Sequence, residues 1–290
     1  MINFRPIARV IAVLLMLIGG MMLFGIPFSL YYESGDFWAL LNSGLISIIT
    51  GGALWLIPIP GTTNIKKREG YLIVALGWLA MVTFGMLPYL LSGVIPDVIG
   101  AFFETVSGMT TTGASVLTDI ESVPKGILFW RSLTQWIGGM GIIVLTVAIF
   151  PLLGIGGIEL FVAEAPGPTS DKLHPRIRET AKRLWQIYVG LTGLLCIVLL
   201  IAGLDFYEAI NHALTTMATG GFSTKNASMA YYDLPQVQYP IIFFMFLAGT
   251  NYTVIYFGLK GKFKNVWQSD EFRAYLTIVG LLAVIVTLGV

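Results

Sequence analysis

Charged residues are scarce in this sequence, and that scarcity decides its class. Only 11% of the 290 residues are Asp, Glu, Lys or Arg, whereas 56% are hydrophobic, and the mean hydropathy is +0.81. A soluble domain carries about 25% charged residues. The low charged fraction of this sequence therefore excludes a soluble globular protein. The net charge of +1 gives no indication of nucleic-acid binding, and we expect no nucleic-acid partner. Most of the surface must therefore face lipid or protein.

Cysteine is nearly absent, and the residues of an enzyme site are equally sparse. Cys196 stands alone in the sequence, so it forms no intramolecular disulfide and offers no metal cluster. An intramembrane enzyme would need a convergent nucleophile and base, or metal ligands. The two histidines, His174 and His212, carry no partner motif. We therefore expect neither an enzyme nor an organic cofactor.

Long apolar runs recur along the chain. A spanning helix needs roughly 20 consecutive apolar residues. The first run is too long for the core of a signal peptide, so we expect it to be retained. The composition and these runs predict an all-α, polytopic transmembrane protein within the lipid bilayer. The runs cover residues 7–30, 37–58, 71–93, 126–150, 184–204, 236–258 and 272–290.

Basic residues cluster in alternate connections between the runs. The positive-inside rule places such clusters in the cytoplasm. The N-terminus is then cytoplasmic, and the acidic connection 33–36 lies outside. The clusters are Arg5 and Arg9; Lys66, Lys67 and Arg68; Lys172, Arg176, Arg178, Lys182 and Arg183; and Lys260, Lys262, Lys264 and Arg273.

Two of the external connections contain apolar stretches too short to cross the membrane. Residues 98–110 would form a helix of roughly 20 Å, whereas the hydrocarbon core is roughly 30 Å thick. Non-helical backbone at membrane depth is tolerated only where it is buried in protein or lines water. Connections 92–125 and 205–238 are therefore predicted to dip in as a short helix and to return as an extended loop.

The two dips repeat each other without a gap at an offset of 108 residues. Asp97 aligns with Asp205, and Gly113 aligns with Gly221. Both aspartates stand where a helix N-cap is expected, and Asp205 with Glu208 has the pattern of a capping box. The recurrence in register favours a shared function over two ordinary loops.

Each short helix is followed by a segment rich in Thr, Gly and Ser, at residues 111–115 and 219–223. A monovalent cation that leaves water must regain oxygen ligands, and backbone carbonyls supply them when alternating conformations turn them to one side. Glycine adopts the required positive φ without a clash, and a Thr hydroxyl adds an oxygen. Potassium filters are built this way from four such loops. The segments therefore predict a cation filter.

Three stretches resemble the membrane subunit of Trk/Ktr-type potassium transporters, in their TrkH-like branch. They are SGMTTTGAS at 107–115, WRSLTQWIGGMGII at 130–143 and MATGGFST at 217–224. The resemblance implies potassium uptake across a bacterial cytoplasmic membrane, by a homodimer that binds a cytosolic nucleotide-binding regulatory subunit. It implies potassium, the transported ligand, at Thr111, Thr112, Thr219 and Gly220. The implied filter lining is Thr111, Thr112, Gly113, Ala114, Thr219, Gly220, Gly221 and Phe222.

The family fold implies two extra helices and then four repeats of helix, pore helix and helix. The extra pair would be residues 1–65, the first repeat 66–160 and the second 184–260. The cytoplasmic connection 161–183 could dock the regulatory subunit or lie on anionic headgroups. Residues 261–290 would begin a third repeat, so we interpret the sequence as a piece of a longer transporter.

Some polar residues within the runs leave alternatives open. Glu104 and His212, at equivalent places in the short helices, could relay cations or fasten the helices by hydrogen bonds, and we favour the second. Arg131 could set an electrostatic barrier, snorkel to the interface or bond a loop carbonyl. Gly138, Gly139 and Gly141 suggest close helix packing. Asn251 could face a wet cavity or bond another helix.

A sodium- or proton-coupled cation carrier is the alternative function. Such carriers also have broken helices at the membrane midplane. They usually place carboxylates there, whereas both units of this sequence place backbone and hydroxyl oxygens. The pattern therefore favours a filter.

Overall fold

The computed structural model describes residues 3–60, 67–141 and 177–289, and the regular elements in these ranges are helices. The helices are α1 Phe4–Met22, α2 Ile26–Tyr31, α3 Phe37–Leu56, α4 Lys67–Gly85, α5 Leu87–Ser92, α6 Val98–Met109, α7 Lys125–Gly139, α8 Ile177–Ile201, α9 Phe206–Met217, α10 Pro235–Ala248, α11 Tyr252–Leu259, α12 Phe263–Trp267 and α13 Asp270–Gly289, with short 3-10 turns at Leu23–Gly25 and Ser228–Tyr231.

The apolar runs form helices of membrane length, which confirms the predicted all-α polytopic fold. Within the described ranges, the spans are Phe4–Tyr31, Phe37–Leu56, Arg68–Ser92, Lys182–Ile201 and Asp270–Gly289. The predicted run 126–150 is described only as far as residue 141. The predicted connection 161–183 is described only from residue 177, and Lys66, Lys172 and Arg176 lie outside the described residues.

The run 236–258 was predicted as one span. The structure instead divides it into α10 and α11, and the helix axis bends by 108° between them. Asn251 explains the break because its side chain accepts a hydrogen bond from the Thr253 backbone N–H at 2.9 Å and so begins a new helix. The same side chain donates to Glu271 of α13 at 3.0 Å. Of the two alternatives for Asn251, the structure has the bond to another helix.

Helix α7 lies at the centre of the described fold and is held from several sides. The Trp130 indole N–H donates to the Gly85 carbonyl of α4 at 3.0 Å, and the Tyr207 hydroxyl of α9 donates to the Lys125 carbonyl at 2.7 Å. Asp36, which is 2% exposed, accepts from the Ile127 N–H at 2.7 Å. A carboxylate at a helix N-terminus satisfies an otherwise free N–H and complements the helix dipole. The N-terminal helices thereby fix the position of α7.

Helices α1 and α3 pack closely through glycine. A Cβ atom on Gly44 would lie 2.9 Å from the Gly19 carbonyl oxygen, and one on Gly51 would lie 2.6 Å from the Ala12 carbonyl oxygen. Small residues let helix backbones approach in a membrane, where packing rather than water drives association.

Gly51→Val should destabilise the protein, because its side chain would meet the α1 backbone rather than a movable side chain. Overpacking typically costs about 1–3 kcal/mol. Gly52→Val is the matched control, since a Cβ atom on Gly52 meets nothing within 4 Å and the loss of glycine is the same. Thermal unfolding of the detergent-purified protein measures both. Equal midpoints for the two variants would contradict the packing argument.

Candidate functional site

The two short helices have the predicted length and capping. Helices α6 and α9 have 12 residues each, which is roughly 18 Å at 1.5 Å per residue. Asp97 accepts from the Gly100 N–H at 2.6 Å, and Asp205 accepts from the Glu208 N–H at 2.9 Å. Both aspartates are therefore N-caps, as the sequence predicted.

The capping box expected for Asp205 and Glu208 forms only in part. The Glu208 carboxylate turns away from the helix start and accepts from the Tyr232 hydroxyl at 2.7 Å and from the Thr224 hydroxyl. Its other oxygen lies 3.3 Å from the Lys225 ammonium. These contacts compete for the carboxylate, so Glu208 holds the segment that follows the second loop.

The backbone after each short helix follows the same path. Thr111 and Thr219 have φ of 56° and 55°, and Gly113 and Gly221 have φ of 79° and 81°. Positive-φ residues thus alternate along each loop at equivalent positions. Thr112 donates its N–H to the Ser107 carbonyl at 2.9 Å. The equivalent bond, from Gly220 N–H to the Thr215 carbonyl, measures 3.0 Å, so both helices end in a Schellman motif.

Threonine is an unusual residue for the left-handed position of this motif. A β-branched residue at positive φ is an outlier, and the left-handed region costs roughly 1–2 kcal/mol for a residue with a Cβ atom. Glycine would remove the cost, yet Thr111 and Thr219 both stand there. Strain of this kind clusters at functional sites, and here it recurs at the start of each loop, where the Thr219 hydroxyl donates to the Ala218 carbonyl at 2.7 Å.

The two loops meet through the backbone. A Cβ atom on Gly113 would overlap the carbonyl oxygen of Gly220, so this contact requires glycine for space as well as for its φ. A Cβ atom on Gly221 would meet nothing within 4 Å among the described residues. The first loop therefore lies directly beside the second, whereas Gly221 has an open side.

Gly138 and Gly139 of α7 pack closely against the C-terminal ends of the two short helices. A Cβ atom on Gly138 would overlap the carbonyl oxygen of Met109, the last residue of α6. A Cβ atom on Gly139 would lie 2.7 Å from the Cα atom of Ala218, the C-cap of α9. The predicted close packing of these glycines is confirmed, and one helix supports both loops.

A buried ion pair joins α7 to both loops. The Arg131 Nε atom lies 2.7 Å from the Glu104 carboxylate, with side-chain exposures of 3% and 0%. The Arg131 Nη1 group donates to the Ser223 carbonyl at 3.2 Å, and the guanidinium carbon lies 3.5 Å from the ring centre of Phe222. Of the alternatives for Arg131, the structure shows the hydrogen bond to a loop carbonyl, that of Ser223.

Glu104 and His212 join the short helices to neighbouring segments by hydrogen bonds. Glu104 accepts from the Ser115 hydroxyl at 3.0 Å and from the Val116 N–H at 2.9 Å, which holds the segment after the first loop. The His212 Nε2 atom lies 3.2 Å from the Tyr232 hydroxyl. The favoured interpretation, hydrogen bonds that fasten the short helices, is confirmed for both.

Gln135 also supports the second loop, and the sequence analysis missed it. Its Oε1 atom accepts from the Phe222 N–H at 3.1 Å, and its amide fills the space that a Cβ atom on Gly220 would need. A signal was available, because Gln135 lies four residues after Arg131 and so on the same helix face. Polar residues within a span are functional candidates by default.

The predicted filter residues differ in how they meet the site. The Ala114 carbonyl accepts from the Ser107 hydroxyl at 2.5 Å and so points toward α6. The Phe222 side chain is buried beneath Arg131, which leaves only its backbone for the loop. The Thr112 hydroxyl lies 2.7 Å from that of Thr110. Thr112, Ala114, Thr219 and Gly221 are exposed, whereas Gly220 and Phe222 are buried.

Asn226 ties together the outer ends of the two loops. It accepts from the Ile120 N–H at 2.7 Å and donates to Asp119 at 3.0 Å. The latter bond lowers the pKa of the Asp119 carboxyl below its ordinary value, because it favours the charged form. Asn226 lies in a loop without periodicity, so no sequence signal identified it.

Paired helix–loop hairpins among helices of membrane length define an integral, multi-pass membrane protein. Residues 38–289 match the family model described as "TrkH: Cation transport protein". The chain therefore belongs to the TrkH family. A family of transport proteins also confirms the prediction that the chain is not an enzyme.

Individual relatives agree with this membership. "Trk system potassium uptake protein TrkH" of Escherichia coli (strain K12) is 42% identical over 99% of the chain and 60% of its own length. "Trk system potassium uptake protein TrkG" of the same strain is 35% identical over 89% of the chain and 54% of its own length. The crystal structure of the potassium transporter TrkH from Vibrio parahaemolyticus is similar with a TM-score of 0.81 and 36% identity, over 98% of the chain and 58% of that structure. The chain thus spans about 60% of the length of the E. coli TrkH relative.

Glu104→Gln should strongly destabilise the protein, because Arg131 would stay charged and buried without a counter-charge. Breaking a buried pair in this way costs about 3–5 kcal/mol. Glu33→Gln, at an exposed position, is the control and should unfold like the wild type. Thermal unfolding of these two variants, of Arg131→Met and of the double variant Glu104→Gln/Arg131→Met measures the coupling. If the two single losses simply add in the double variant, the pair is not a mutual support.

Proposed function

We propose that the protein takes up potassium across a bacterial cytoplasmic membrane, through a pore lined by backbone oxygens of its two re-entrant loops. The observation that carries this proposal is the identical backbone of the loops, which alternate positive φ at equivalent residues and meet where Gly113 faces the Gly220 carbonyl. Alternation of this kind directs successive carbonyl oxygens to one side. Potassium uptake is also what the names of the relatives state for those proteins.

The chemistry of the loops suits a dehydrated monovalent cation. Carbonyl oxygens replace the hydration shell, and the C-termini of α6 and α9 each contribute about half a negative charge at the start of the loop. We assign the potassium ligands to Thr111, Thr112, Thr219 and Gly220. Gly113 and Gly221 give the loops their course, and Ala114 and Phe222 form their outer ends.

A ring of four loops needs two more than this chain contains. The chain spans about 60% of its E. coli TrkH relative, so the proposal concerns the assembled ring. In it, residues 66–160 and 184–260 are the first two repeats, 1–65 precede them and 261–290 begin a third. The open side of Gly221 is where the next loop of such a ring would lie.

The proposed orientation places the N-terminus in the cytoplasm, because the basic clusters then lie inside. The relatives are named as parts of a Trk system. We propose a homodimer in the membrane and a cytosolic nucleotide-binding regulatory subunit as its partner, with the connection 161–183 as the docking segment.

The coupled-carrier alternative is less favoured because of the state of Glu104. A carrier of sodium or protons needs a carboxylate free to bind its coupling ion. Glu104 is instead paired with Arg131 and accepts two further hydrogen bonds. Its oxygens are therefore engaged in holding the loops.

Gly113→Ala should abolish uptake, because the added methyl group would displace the Gly220 carbonyl oxygen. The measurement is rubidium uptake, and growth at low external potassium, in a potassium-uptake-deficient bacterium that carries the full-length protein. A loss of roughly tenfold or more is expected, since each 1.4 kcal/mol of lost coordination is tenfold.

Gly93→Ala is the matched control for this experiment. Gly93 also has positive φ, at 72°, but a Cβ atom there would meet nothing within 4 Å. The control bears the same backbone strain away from the loops and should keep its uptake. Wild-type uptake by Gly113→Ala, at normal membrane expression, would falsify the filter assignment.

A further inference from the structure

A groove of about 540 Å³ runs between α8 and α11. One end carries the cationic side chains of Arg183 and Lys260, and the rest is lined mainly by aliphatic side chains, including Ile187, Leu191 and Leu194. The groove is thus amphipathic along its length. It contains none of the loop residues and plays no part in the filter proposed above.

The cationic end is not neutralised within the described part of the chain. Arg183 donates one hydrogen bond, from Nη1 to the Tyr256 hydroxyl at 2.7 Å. The Lys260 ammonium lies 6.0 Å from the centre of the Tyr256 ring. Guanidinium has five N–H donors in a fork that matches phosphate oxygens. The guanidinium carbon of Arg183 lies 5.5 Å from the same ring centre, so both cations lie next to one tyrosine and form a site for an anionic group.

The length of the groove matches one leaflet of a bilayer. Arg183 and Leu194 lie eleven residues apart on α8, or roughly 16 Å along the helix axis. Half of a hydrocarbon core is roughly 15 Å. Leu194 is 50% exposed, so the apolar end opens sideways rather than into the protein.

We propose that this groove binds one anionic phospholipid, with its phosphate between Arg183 and Lys260 and an acyl chain along Ile187, Leu191 and Leu194. A soluble phosphate would use only the cationic end and would leave the apolar length exposed. The basic clusters place this end at the cytoplasmic leaflet in the proposed orientation, where anionic lipids attract Lys and Arg. The proposal does not depend on which ion the protein carries.

Native mass spectrometry of the full-length protein tests the site with phosphatidylglycerol and phosphatidylcholine. The wild type should retain phosphatidylglycerol with roughly 30-fold preference, since each of the two cations contributes about a factor of five toward anionic lipid. Arg183→Gln/Lys260→Gln should lose that preference. Lys262→Gln/Lys264→Gln removes the same charge from nearby exposed positions and should keep it.

A second pair of variants tests the apolar length. Gly190 lines the groove, and a Cβ atom there would meet nothing within 4 Å, so Gly190→Trp should fill the groove and release the lipid without harming the fold. Gly193→Trp lies on the same helix, also with nothing within 4 Å, but does not line the groove. It should leave the lipid bound.

Each other outcome overturns the proposal. Equal retention of both lipids by the wild type would mean a general lipid annulus. An equal loss in the Lys262/Lys264 variant would mean diffuse charge attraction rather than a site. Binding of inorganic phosphate that persists in Gly190→Trp would mean a soluble anion at the cationic end. Absence of any retained lipid would mean that the groove is covered by protein.

Discussion

The buried ion pair between Glu104 and Arg131 is the contact on which the rest of the site depends. Removal of a charge pair from water is costly unless further hydrogen bonds satisfy both groups. Here they do, because Glu104 also accepts from Ser115 and Val116, and Arg131 also donates to Ser223. The satisfying groups belong to different loops. The electrostatic requirement of one pair therefore positions the exit segments of both hairpins.

This pair can act in that way only because α7 is itself held in place. Its N-terminus is capped by Asp36 from the connection between the N-terminal helices, and its glycines receive the ends of both short helices. Hydrogen bonds at one end and close backbone packing at the other leave little freedom to rotate. The N-terminal helices, which contribute no loop, thus contribute to loop geometry through α7.

Features set by local chemistry were predictable from the sequence. Apolar length predicted the spans, and Asp97 and Asp205 predicted the starts of the short helices. Features that depend on how each helix is rotated about its own axis relative to its neighbours were not predictable from the sequence. Arg131 and Glu104 are 27 residues apart, and nothing in that spacing says that they face each other. The break at Asn251 was missed because hydropathy does not distinguish a bent pair of helices from one span. Gln135 was missed because a polar residue on the same helix face as Arg131 has structural as well as functional explanations.

The repeat is close in backbone but unequal in surroundings. Thr111 and Thr219 share the same left-handed conformation, although a glycine would avoid its cost. Packing does not demand threonine there, since the bonds that close each helix end use only backbone groups. Gly113, in contrast, is required by the neighbouring carbonyl as well as by its φ. Gly113 therefore stands where two backbones meet, whereas threonine occupies a strained position at the start of both loops that glycine could occupy without the cost.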